Sequence, residues 1–453
     1  MTVLLYVLGV LFVVLGVGLS IGLHEIGHLV PAKKFGVKVT QYMVGFGPTV
    51  WSTKRGETEY GIKTIPLGGY IRMIGMFPPR PGDKPGTLRV SSTGRFTQLA
   101  DEARQLSLEE IKPGDEDRVF YKLSVPKKVV VMMGGPVMNL LIAVVLLTGL
   151  VTLYGQQVQK DGAIVASVSE CVVPASQATS KTTCAASDPK TPAFAAGIRP
   201  GDRIVSIAGQ PIVRTTDVGK LIRPRVGQET AIVVLRDGAQ KTLQVSPIRN
   251  TVQQVGPDGT PLVNADGEPV VIDAGFLGVS SGPVMALERQ SVAVVPGILG
   301  DQVSHIAGVL LHIPQRMTDV AQAAFGSEAR DPNGPVSVVG VGRMAGEISS
   351  GSVQGLDDSL GGKIAILVSL MAGLNIALFV FNLIPLLPLD GGHVAGALWE
   401  GLKRNAARIL NRPDPGHVDV AKALPVAYAV SSVLIVMSAL LIYADFVKPV
   451  KLG

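Results

Sequence analysis

Four stretches of this chain run without Asp, Glu, Lys, Arg or His for long enough to cross a bilayer: Met1–Leu23, Val129–Gln159, Ile364–Leu389 and Ala423–Ala444. A membrane helix needs about 20 apolar residues, whereas a buried core helix accounts for runs of about 10–14. In lipid the backbone must satisfy its own hydrogen bonds, so such stretches become helices. We expect four transmembrane helices, over 1–30, 129–155, 364–389 and 423–444. Only 17% of residues are charged and mean hydropathy is +0.38, against about 25% charged in soluble domains. The first stretch does not read as a signal peptide. Its first basic residue is Lys33, and it lacks a small-residue cleavage site.

Loop charge orients the spans. Residues 31–128 hold 17 Lys/Arg against 10 Asp/Glu, while 155–365 hold 17 against 19. Lys403, Arg404, Arg408, Arg412 and Lys422 crowd the short loop 403–422. Basic residues near span ends stay cytoplasmic. Residues 31–128 and 403–422 are therefore expected inside, and 155–365 and both termini outside. The net charge of +6 is then a topology signal that needs no nucleic-acid partner. Cys171 and Cys184, the two cysteines, both fall in the outside loop, where a disulfide is stable. Two free thiols are the alternative.

Between the spans, residues 36–75 alternate like strands and are punctuated by Gly45-Phe-Gly-Pro48 and Pro66-Leu-Gly-Gly69, which predicts a small antiparallel sheet beside the first span. Residues 78–120 form a polar, turn-rich insert with one helical piece near Leu99–Ile111. Outside, residues 192–248 read as a compact module. It holds a short helix at Thr191–Gly197 and strands at Arg203–Ile207, Thr230–Leu235 and Gln240–Val245. A hairpin insert follows over 252–273, on turns at Gly256-Pro-Asp-Gly259 and Ala265-Asp-Gly267. Residues 302–325 place Val303, Ile306, Leu310, Ile313 and Met317 on one stripe. That amphipathic helix, within 301–326, lies either on the membrane or on the module.

His24-Glu25-Ile26-Gly27-His28 carries the chemistry. On a helix, His at i and i+4 share one face and can hold one Zn²⁺, with the intervening Glu as a base. With six His in 453 residues, chance would place this pattern roughly 0.002 times. It stands at the inner end of an apolar span, where ionisable groups are costly and usually functional. A third ligand is needed. Asp390 fits, at the end of the third span in Asn382-Leu-Ile-Pro385-Leu-Leu-Pro388-Leu-Asp390-Gly391-Gly392, where two prolines should break the helix. His393 is the rival. His305, His312 and His417 read as ordinary polar positions. Gly134-Gly135-Pro136 predicts a break in the second span. Asn139 and Asn382 flank the two breaks, either as helix–helix glue or as groups that position a substrate.

These motifs resemble the intramembrane zinc metalloproteases of the site-2 protease type, in the bacterial regulator-of-sigma-E protease group. The matching residues are His24-Glu25-x-x-His28, Gly45-Phe-Gly-Pro48, Pro66-Leu-Gly-Gly-Tyr70, Gly135-Pro136-x-x-Asn139 and Asn382-x-x-Pro385 through Asp390-Gly391. The family places a Pro at the position of Leu387; here it falls at Pro388. The resemblance implies one Zn²⁺ held by His24, His28 and Asp390, with Glu25 catalytic. It implies a membrane-associated β-region over 36–75. It also implies an extracytoplasmic PDZ-like α+β domain over 160–283, with Gly197-Ile-Arg-Pro-Gly-Asp202 similar to the PDZ signature. It further implies a multi-pass protein of the bacterial inner membrane that cleaves single-span membrane proteins such as anti-sigma factors.

Two other classes are weighed against this. A zinc transporter would show paired repeats, and none are visible. A membrane-anchored PDZ scaffold would not need Glu25. The cysteine reading has a direct check. Mass spectrometry under non-reducing conditions is expected to recover Cys171 and Cys184 as one linked peptide. Alkylation of both thiols on intact cells would reject the bridge and the outside placement together.

Overall fold

Pro and Gly set the boundaries of the elements. The chain order is α1 (Thr2–Lys34), β1 (Val39–Arg55), β2 (Thr58–Met73), α2 (Arg95–Glu109), α3 (Val125–Gly149), β3 (Gln156–Val168), α4 (Pro192–Ala195), β4 (Arg203–Ile207), β5 (Gln210–Pro211), α5 (Thr215–Ile222), β6 (Thr230–Arg236), β7 (Ala239–Val245), β8 (Ile248–Gln253), β9 (Val271–Phe276) and β10 (Val279–Glu288). Then follow α6 (Val295–Leu311), α7 (Ile313–Phe325), α8 (Val338–Ser350), α9 (Leu360–Asn382), α10 (Asp390–Ile409) and α11 (Leu424–Val447). The structure, a computed structural model, describes residues 2–79, 95–172, 184, 188–254, 256, 262–264, 270–327, 329–332, 334–353 and 358–450. The turns read at 257–259 and 265–267, and residues 80–94 of the insert, lie outside the described residues.

The chain divides into two compact units, Met1–Tyr154 with Gln290–Gly453, and Gly155–Arg289. In the first, five helices among the described residues are long and apolar enough to cross a membrane: Thr2–Lys34, Val125–Tyr154, Val292–Leu311, Leu360–Asn382 and Val420–Val447. The one beyond the four charge-free stretches is Val292–Leu311. Asp301 and His305 interrupt it, so a search for charge-free runs passes over it. The stripe expected to run unbroken through 302–325 is divided at His312, where α6 ends and α7 begins. Pro314 suits the first turn of a new helix and not the interior of an old one.

Helix α3 also departs from expectation, because it runs unbroken through Gly134-Gly135-Pro136. The glycines serve close approach instead. A Cβ at Gly27 would overlap the carbonyl oxygen of Gly134, and one at Gly134 would overlap that of Gly27. Backbones of α1 and α3 meet there as only side-chain-free positions allow. Where Pro385 and Pro388 do break the chain, α9 ends at Asn382 and α10 starts at Asp390.

β1 and β2 form one hairpin that folds over on itself. Gln41 pairs with both Arg72 and Glu59, so Val39–Val44 lies between two segments of β2. Gly45 (φ +95°) and Gly68 (φ +103°) take left-handed backbone at the bends. The hairpin packs on α1 and α3 through Val37, Val39, Met73, Leu29, Val131 and Met132. Within the polar insert, α2 is anchored by Arg104, which is 2% exposed and bonds Asp101 and Asp419, each at 2.6 Å.

The second unit is built on a six-stranded antiparallel sheet of order β10-β3-β4-β6-β7, with β5 beside β4. Alternating Ile204, Ile207, Ile232 and Val234 enclose its core with Val218 and Ile222 of α5. Thr191 caps α4 by accepting from the Phe194 N–H, and Gly197 (φ +75°) ends it. β8 and β9 pair separately. Cys171 and Cys184 are joined as a disulfide. Asp202, 1% exposed, accepts two 2.6 Å bonds from Arg236 and one of 2.8 Å from the Arg199 N–H. Burial alone would raise its pKa, but these donors outweigh it and hold the carboxyl below its ordinary value.

A depressed carboxyl stabilises the fold above its unfolded pKa, about 3.9, and that contribution is lost as pH falls through the lower folded value. Protection factors over β4 and β6 in the intact protein, taken against the intrinsic exchange rate at each pH, should therefore fall as pH drops below about 4. Asp202→Asn leaves Arg236 short of its partner and should cost about 3 kcal/mol. Protection independent of both would refute this.

Candidate metal centre

Helix α1 carries His24, Glu25 and His28 as one and a bit turns of an otherwise apolar rod, so both imidazoles face α3. Glu25 and His28 are 8% and 5% exposed. The imidazoles meet edge to face, with Nε2 atoms 3.2 Å apart. Asp390 enters as the first residue of α10. Its Oδ2 lies 3.3 Å from His24 Nε2 and 3.4 Å from His28 Nε2. These three side chains are the one group among the described residues that converges in this way. His393, the rival ligand, stands outside it and faces a small cavity with Lys128 and Glu400. The structure thus brings together His24, His28 and Asp390, with Glu25 on the neighbouring position of α1.

The donor set fits zinc. Zn–N and Zn–O distances of about 2.0–2.1 Å place tetrahedral donors about 3.3–3.4 Å apart, close to the 3.2, 3.3 and 3.4 Å of the three edges here. Asp390 Oδ2 is buried and accepts no hydrogen bond, so three lone pairs converge on one point without a donor between them. Each histidine is also oriented from behind, as ligating imidazoles are. His28 Nδ1 donates to the carbonyl of Val131 at 2.8 Å, which leaves Nε2 free for a metal. His24 Nδ1 lies 3.1 Å from the side-chain amide of Asn139, itself 1% exposed. The Asn139 carbonyl oxygen is buried and otherwise without a partner. A half-turn of that amide preserves its shape and lets this oxygen accept from His24 Nδ1–H.

Several residues that make room for the site carry little signal in the sequence. A Cβ at Gly135 would collide with Nε2 of both histidines. Gly391 and Gly392 lie so close under Ile384 and Leu387 that a side chain would meet their backbones. This lets the loop after α9 fold back and aim Asp390. Strand β2 covers Glu25: a Cβ at Gly69 would stand 2.9 Å from its Cγ. Tyr42 donates to the carbonyl of Gly22 at 2.8 Å. Burial first, and the Glu25 charge second, push its pKa up to about 12, so it remains a donor. Asn382 is the last residue of α9, half-buried.

His417 is not the ordinary polar position the sequence suggests. It joins a buried cluster in which Glu400, 2% exposed, accepts from Lys128 at 2.8 Å and meets His417 at 3.3 Å. Burial would raise the Glu400 pKa, but His417 and Lys128 outweigh it and hold the pKa at about 2. This cluster ties α10, and with it Asp390, to the start of α3. It is invisible in sequence because its members are 272 and 17 residues apart.

The family model described as Peptidase family M50 matches residues 12–412. The chain belongs to peptidase family M50. It is 31% identical over 453 residues to the zinc metalloprotease Rip1 of Mycobacterium tuberculosis H37Rv, covering 99% of this chain and all of that one. Rip1 of Mycolicibacterium smegmatis is 30% identical over 459 residues, with the same coverage. As a member of M50, the site-2 protease family, the chain is a zinc metalloprotease, with Zn²⁺ as its cofactor.

Asp390→Ala is expected to remove the metal, measured as zinc per chain, while His393→Ala retains it. Asn139→Leu should weaken zinc about 10–100-fold by freeing the His24 ring, and Asn139→Asp should largely restore it. Unchanged affinity in Asn139→Leu would remove Asn139 from this role.

Proposed function

We propose that this M50 peptidase cleaves the transmembrane segments of single-span membrane proteins, anti-sigma factors among them. The observation that carries the reading is the convergence of His24, His28 and Asp390 between α1 and α10, beside Glu25, towards the C-terminal end of a span-length helix. Zinc held there would supply Lewis acidity for the peptide carbonyl and for the attacking water. Glu25 takes the proton from that water and returns it to the departing amide nitrogen. Asn139, fully buried against His24, is assigned to orienting that ligand. Asn382 is assigned to holding the substrate backbone.

A helical substrate hides its carbonyls in hydrogen bonds, so it must be extended before attack. Among the described residues β2 pairs only with β1, and its Gly69–Ile71 segment adjoins Glu25. An extended substrate pairing along this edge would present its backbone to the site. Unit 155–289 is read as the PDZ-like domain, acting as a size filter or tail reader outside the membrane.

The orientation follows loop charge. Residues 312–359, after α6, hold three Lys/Arg and six Asp/Glu, so nothing retains them inside. We therefore take α6 as lying against α3 and α9, which it contacts through Val295, Ile298 and Leu299, and four helices as spanning. Both termini are then extracytoplasmic in the bacterial inner membrane.

Glu25→Gln should keep about one zinc per chain and lose activity by at least about a hundredfold. In cells carrying it, membrane proteomics should show a single-span protein accumulating uncut. Loss of zinc in this variant would move Glu25 from base to ligand, and full activity would dismiss it as base.

A further inference from the structure

Helix α10 has a face that the first unit leaves uncovered. At about 100° per residue, Leu398, Ile409, Leu402, Ala406, Trp399 and the following Leu410 share one arc of about 120°. Leu398, Trp399, Leu402 and Ile409 are 56%, 52%, 59% and 80% exposed. The opposite side is fixed on α3. Glu400 bonds Lys128 there, and a Cβ at Gly401 would stand 3.2 Å from Val125. The apolar arc therefore points away from the protein.

Cations border this arc. Lys403 lies on one margin, its Nζ 5.5 Å from the centre of the Trp399 ring. Arg408 lies beyond the other margin, and Arg412 follows the helix. Among the described residues none of the three is in an ion pair, whereas Arg404, on the protein side, meets Glu400 and Asp414. No acidic residue falls on the arc. The helix is not one of the span-length apolar ones, yet only seven residues separate its start from the end of α9, which is.

Apolar anchors with a Trp, bordered by unpaired cations and joined directly to a span, are the chemistry of a helix lying in an anionic lipid surface. A second copy docking by the same arc would set these cations against one another, with no acidic residue there to match them. We propose that the exposed arc of α10 lies in the inner leaflet, with Leu398, Trp399, Leu402 and Ile409 among acyl chains and Lys403, Arg408 and Arg412 against anionic headgroups. Asp390 opens the same helix, so the lipid surface holds the element that presents the third metal ligand. The inner-leaflet assignment rests on the orientation given under the proposed function.

The test uses the full chain, which has two tryptophans. Trp51→Phe leaves Trp399 as the sole reporter. In nanodiscs, phosphatidylcholine brominated near the headgroup should quench about half of the Trp399 emission, and aqueous acrylamide little. Each near-surface cation favours an anionic surface by about fivefold. Added phosphatidylglycerol should therefore increase lipid quenching, and the triple variant Lys403→Gln, Arg408→Gln, Arg412→Gln should lose that response. Peptidase activity of the triple variant in phosphatidylcholine shows that it is folded. Ready quenching by acrylamide would place the face in water, and shielding from both quenchers would place a protein on it. A triple variant indistinguishable from its parent would remove the anionic lipid. Any of the three overturns the proposal. Labelling of Asn411→Cys by an impermeant maleimide from outside intact cells would overturn the orientation alone, whatever the quenching shows.

Discussion

Three lone pairs aimed at one point inside apolar protein repel one another unless a cation lies between them. His24, His28 and Asp390 are held in that arrangement at spacings of 3.2–3.4 Å. Everything nearby serves to hold it. The Gly27–Gly134 crossing brings α3 close enough for Val131 and Asn139 to orient the two rings. The missing side chain at Gly135 leaves the rings their space. The Lys128–Glu400 pair fixes α10 against the same helix. A buried ion pair is weak evidence for stability as such. Here its consequence is geometric, since it fixes the helix whose first residue is Asp390.

Four of the span-length apolar helices and the His24–His28 pair are legible because each is a local pattern: lack of charge over about 20 residues, and His at i and i+4. The helix break before Asp390 was legible from two prolines. Gly134-Gly135-Pro136 was misread as a second break. One glycine gives no sign whether it loosens a helix or lets another backbone approach, and Pro136 is accommodated inside α3. The stripe at 302–325 shows the reverse error. Its apolar period continues across His312, but the chain does not, because Pro314 starts a new helix. Helix α10 was hidden by its own charges, which mark a loop when only hydropathy is followed. The Glu400 cluster could not be found at all, since nothing in one sequence pairs Lys128 with a glutamate 272 residues away.

The β-hairpin shows how an irregular segment comes to lie on Glu25. Alternation foretold strands over 36–75, but not that Val39–Val44 would lie between two halves of β2. The bends at Gly45 and Gly68 decide that. With them, Gly69 comes within contact of Glu25, and a polar backbone edge is delivered to a place where water is scarce. Tyr42 ties the same sheet to the carbonyl of Gly22, two residues before His24.

The metal site is also divided along the chain in a way that bears on its synthesis. His24 and His28 emerge among the first thirty residues, whereas Asp390 emerges only after α9. Until then the nascent protein has only two of the three side chains that converge here, an incomplete set for a catalytic zinc. A protease that depends on this convergence would be inert during its own insertion. A chain truncated anywhere before residue 390 is left with an incomplete centre.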